Sequence, residues 1–102
     1  MTKNQMTIDE LLAKAREIWG DENMSEQQIA VALGVVYGDI CRLIRDQNET
    51  GLLDPAEMKK ELGNIIFSTI RWAEDLGYEP KECIELAINA QKKYVDRNKM
   101  KS

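Results

Sequence analysis

Histidine is absent from the 102 residues of this chain. That removes Ser-His-Asp and Cys-His nucleophilic schemes, imidazole metal ligands and the usual general base near neutral pH. Hydrolysis, if the chain performs it, has to use carboxylates and a metal-activated water. Only two cysteines occur, Cys41 and Cys83, far apart and without a Cys-x-x-Cys pair. Each lies among apolar residues and reads as a buried free thiol rather than half of a disulfide. Glycine (6) and proline (2) are too scarce for a loop-rich or disordered chain. Strand-like alternation, internal repeats and low-complexity tracts are missing as well. A net charge of −4 argues against general nucleic-acid binding, which relies on Lys and Arg to displace counterions from phosphate. The longest apolar run, IAVALGVVYG, is too short to cross a bilayer, and MTKNQMTIDE holds no apolar signal segment. The expectation is a cytoplasmic protein with neither a membrane nor nucleic acid as partner.

What is present is helical. Hydrophobic residues make up 43% and charged residues 31% of the chain, enough for one domain over residues 1 to 102 with a single core. Thr7 and Glu10 stand in capping-box spacing ahead of a stripe formed by Ile8, Leu11, Leu12, Ala15, Ile18 and Trp19, and Gly20 is a natural stop. Ser25 and Gln28 form a second box, followed by Ile29, Ala32, Leu33, Val36, Tyr37, Ile40, Leu43 and Ile44. Gly34 and Gly38 interrupt that helix and predict close approach of a neighbouring backbone. After the break QNETGLLDP, Asp54 caps a third helix with Pro55 at its first position. Its apolar face carries Met58, Leu62, Ile65, Ile66, Thr69, Ile70 and Ala73, and Gly77 lies past its last turn. EPKECIELAINAQKKY supplies a fourth helix, so the core spans about residues 7 to 95 and the polar tail, 96 to 102, is expected to fray. The expected fold is all-α: four helices with short links in an antiparallel bundle, completed by oligomerisation because so short a chain buries modest apolar area. Trp19, Trp72 and Tyr37 stand at apolar helical positions and read as core, although each has a face that can stack on a base.

Polar stripes also run along the helices. Asp39, Arg42 and Asp46 form one, Glu57, Glu61, Asn64, Ser68 and Arg71 a second, and Glu85, Asn89 and Lys92 a third. Periodicity alone describes these as solvated faces.

A resemblance gives them a second meaning. VVYGDI followed by KKELGNIIFSTIRWAEDLGYEPKECIELAINAQKKY is similar to the MazG-type all-alpha nucleoside triphosphate pyrophosphohydrolases over about residues 25 to 95. In that family one helix carries a Glu-x-x-Glu motif and the next Glu-Leu-Gly-Asp, and the four carboxylates coordinate magnesium. The resemblance implies Asp39 and Glu61 as catalytic metal ligands with Asn64 in place of the last acid. Val36 stands where the first Glu belongs. It further implies Asn89 and Lys92 as phosphate contacts, and Arg42 with Arg71 as further cations for a triphosphate or as counter-ions to Asp39 and Glu61. The implied activity is conversion of an NTP or dNTP to monophosphate and pyrophosphate with magnesium, by a homodimer or homotetramer. Two carboxylates where the family has four imply a weakened metal site, and the alternative is a catalytically degenerate relative that acts as a nucleotide-binding or helical interaction module.

Overall fold

The protein's structure, a computed structural model, describes residues 6 to 101. Four helices follow in order: α1 (Ile8–Trp19), α2 (Glu26–Thr50), α3 (Pro55–Asp75) and α4 (Pro80–Lys101). Their starts are written locally. Thr7 and Ser25 each accept from the backbone N–H three residues on, while Glu10 and Gln28 reach back to the cap's own N–H. Asp54 accepts from the N–H groups of Ala56 and Glu57 at the head of α3, with Pro55 at the first position. At the far end of α3, Gly77 takes φ +85°, its N–H donates to the Glu74 carbonyl and that of Tyr78 to the Ala73 carbonyl. This is a Schellman stop, and a side chain at residue 77 would be strained there.

α3 is the central element, with α1, α2 and α4 each packed against it. α2 and α3 form the expected hairpin. What differs is how little of the apolar surface is covered. Ala15, Trp72 and Pro80 are the buried apolar residues among those described, and no residue of α2 is fully buried. Several side chains expected in the core lie open instead, among them Ile18, Trp19 (65% exposed), Leu33, Tyr37 (67%), Ile44, Leu62 and Ile66. The apolar sides are covered only in part, with Ile29, Val36, Ile40, Leu43, Ile65 and Ile70 half-buried where the helices meet. Gly34 and Gly38 are uncovered as well, since a Cβ added at either would meet no atom within 4 Å. The cysteines are free, with Cys41 exposed rather than buried and Cys83 half-buried. Residues 96 to 101 continue α4 rather than fraying from it. One further difference concerns α2, which by length and composition alone is long and apolar enough to cross a membrane, with a window of mean hydropathy 1.3.

Candidate functional site

Glu61 lies on the α3 face turned toward α2 and is buried, though its stripe read as solvated. Its Oε1 accepts from the Asn64 side-chain amide at 2.8 Å, one turn along the helix. Among the described residues, Glu61 has no cation within ion-pair distance. Across the hairpin, the Asp39 carboxylate of α2 is paired with the Arg42 guanidinium of the same helix. Lys60 lies within the field of both groups. Its ammonium donates to Glu57 at 2.8 Å, and its pKa is raised first by that bond, with Glu61 and Asp39 adding to the field.

One turn further along, a cavity of about 490 Å³ opens between α2, α3 and the loop that joins α1 to α2. Val36 and Asn64 both line it, so the two positions where the resemblance expects acids do face a common space. Ser68, Arg71, Trp72 and the exposed Trp19 ring share the wall with Glu22, Asn23 and Gln28. The Arg71 guanidinium lies over the Trp19 ring, 5.1 Å from its centroid. Trp72 Nε1 and Arg71 Nε are buried and have no hydrogen-bond acceptor among the described residues. Trp72 Nε1 carries the desolvation cost of a buried donor without an acceptor, while Arg71 Nε lies 3.6 Å from the Asp75 carboxylate behind the wall.

Behind this wall lies a cluster that sequence reasoning missed. Asp75, with a fully buried side chain, accepts from Arg16 Nη2 on Oδ1 at 2.7 Å and from the Met24 backbone N–H on Oδ2 at 3.2 Å, and Oδ2 also lies 3.6 Å from Arg71 Nε. Arg16 also donates to Glu74 at 2.9 Å, and its pKa is raised, first by Glu74 and then by Asp75. The cluster ties the end of α1 and the start of α2 to the last turn of α3, which fixes the loop carrying Trp19 and Met24. Its one sequence signal was the spacing of four between Arg71 and Asp75. Arg16 is 59 residues away in sequence, and no local pattern couples the two.

The structure therefore brings Asp39, Glu61 and Asn64 to one α2–α3 surface, with Arg42 on Asp39 and Arg71 on the adjoining cavity. It does not bring Asn89 and Lys92 there. α4 packs on the α3 face that carries Thr69, Ile70 and Ala73, whereas the cavity lies on the face of Asn64, Ser68 and Arg71. At 3.6 residues per turn these faces are roughly opposite. The donor set also falls short of a magnesium site: Asp39 is held by a guanidinium, Glu61 by an amide hydrogen, and Val36 offers no oxygen. Among the described residues, no three Asp, Glu, Cys or His side chains converge. Compared with known protein families, with characterised proteins and with solved structures, the chain matches none.

Proposed function

We propose that this chain is a MazG-like helical protein that binds a nucleoside or deoxynucleoside triphosphate, with pyrophosphohydrolase chemistry weakened or lost. The observation that carries the reading is the cavity in which Val36 and Asn64 meet the Arg71 guanidinium and the exposed Trp19 ring that it overlies. The Arg71 guanidinium offers a phosphate oxygen a charge-assisted bond, and an indole face accepts a planar base. Arg42 neutralises Asp39 where the family resemblance implies a metal ion, so binding is favoured over rapid turnover. The partner is a second copy, in a homodimer or homotetramer, and Asn89 and Lys92 join this ligand only from another chain.

The second reading is an active, magnesium-dependent hydrolase with Asp39 and Glu61 as ligands and Asn64 as auxiliary. Its support is the buried Glu61 carboxylate, which has no cation of its own among the described residues. One experiment separates the two: thermal melting and pyrophosphate release with a panel of NTPs and dNTPs, in EDTA and in Mg²⁺, for the unmodified chain and for Glu61→Gln. A melting shift without pyrophosphate release supports the binding protein. Release that Glu61→Gln abolishes supports the hydrolase. No shift and no release with any nucleotide overturns both.

A further inference from the structure

α4 is 22 residues long, yet it is covered only at its first turn, where Pro80 is buried and Cys83 half-buried. Pro80, Cys83, Ile84 and Ala87 meet Thr69, Ile70 and Ala73 of α3. Past Ala87 the apolar stripe continues on α4 as Ile88 and Val95, and on α3 it continues toward the N-terminus as Ile66 and Leu62. In a closed antiparallel pair these four would face one another. Here they are between 47% and 64% exposed, and every residue from Ile84 to Lys99 is open. The two helices share one stripe but form an open cleft along most of it.

The whole chain measures the same deficit. It exposes 8291 Å², whereas a compact monomer of 11.7 kDa exposes about 5,900 Å². Its radius of gyration is 16.8 Å, against about 13 Å for a compact domain of this length. The excess, roughly 2,400 Å² over the whole chain and shared by the cleft with the open faces of α1 and α2, leaves ample area for an obligate dimer interface. The rim favours a protein partner over lipid. Gln91, Lys92 and Asp96 flank Ile88 and Val95 with mixed charge, which is the polar border of an aqueous helix interface.

We propose that the cleft between α3 and the outer half of α4 is filled by a second copy of this chain, with the α4 helices of the two copies each lying in the other's cleft. A two-fold axis makes such a contact self-complementary and closed. The assignment rests on the oligomeric reading above, not on the nucleotide, and gives that reading one face of the molecule.

Sedimentation equilibrium of the full chain at micromolar concentration tests it, with Ile88→Lys/Val95→Lys in the cleft and Val31→Lys/Val35→Lys on the outer face of α2 as the two variants. All four substituted side chains are already exposed, and far-UV circular dichroism checks that the helices persist. The milder Ile88→Gln/Val95→Gln serves if the lysine pair loses helicity. The expected result is an oligomer for the unmodified chain, weakened at least roughly 30-fold by the cleft variant and not by the α2 variant. Dissociation by the α2 variant alone keeps the oligomer and overturns the cleft. A monomeric unmodified chain overturns both. Flotation of the unmodified chain with phosphatidylcholine or phosphatidylserine vesicles, lost in either variant, gives the open face to lipid and overturns the proposal.

Discussion

Asp75 and Glu61 are two buried carboxylates on the same side of α3, and they are held in very different ways. Asp75 has a backbone N–H, one guanidinium in hydrogen-bond contact and a second close by. Glu61 has the neutral amide of Asn64. A buried charge is tolerated when its partners replace the water it has lost, and it is costly when they do not. The Asp75 end of the molecule is consequently a joint between three segments in which the carboxylate is well satisfied, although Arg16 Nη1 and Arg71 Nε are left without acceptors. The Glu61 end keeps electrostatic demand unmet, which is what a binding site requires and a structural joint avoids.

Removing Asp75 is the sharpest test of that contrast. Asp75→Ala leaves the buried Arg71 guanidinium without its carboxylate and Arg16 with Glu74 alone, and should cost about 3 kcal/mol or more, with a fall in melting temperature on the order of 12 °C. A drop of only a degree or two would show that the joint is decoration. Next in size is Val36→Glu combined with Asn64→Asp, which adds two acids beside Glu61. In EDTA the double variant should lose roughly 2 kcal/mol through like-charge burial, and Mg²⁺ should return a large part of it. A melting curve indifferent to Mg²⁺ would mean that the four positions do not share a site. Glu61→Gln keeps the shape and removes a charge that has no cation, so denaturant titration should move by less than about 1 kcal/mol, in the stabilising direction. A loss as large as that of Asp75→Ala would erase the distinction. The smallest effect belongs to Lys60. Its raised pKa means that the folded state holds its proton more tightly, so its stabilisation is present below pH 10.5 and is lost as pH rises past its folded value. The melting temperatures of the unmodified chain and Lys60→Met should differ slightly at pH 8 and converge above pH 11.

The sequence made the helix ends legible because caps are local: Thr7 with Glu10, Ser25 with Gln28, and Asp54 with Pro55 each act within four residues. The pairing of α2 with α3 also followed from a short loop, whereas the meeting of Val36 with Asn64 was implied by the family resemblance alone. What stayed hidden depends on distance. Arg16 meets Asp75 across most of the chain, so the apparently solvated stripe of Glu61 and Arg71 turned out buried. Conversely, an apolar stripe such as that of Leu62 and Ile66 states a preference for cover without saying whether this chain supplies it.

The capping boxes have a consequence in time. Because each of the first three helices carries its own start signal, and α3 its own stop, helix formation needs little long-range contact and proceeds on the microsecond scale of local structure. Closing the Asp75 joint must wait for the two ends of a 59-residue span to meet. Refolding should therefore show helical signal early and tryptophan signal late, with Trp72 and Trp19 as its natural clocks.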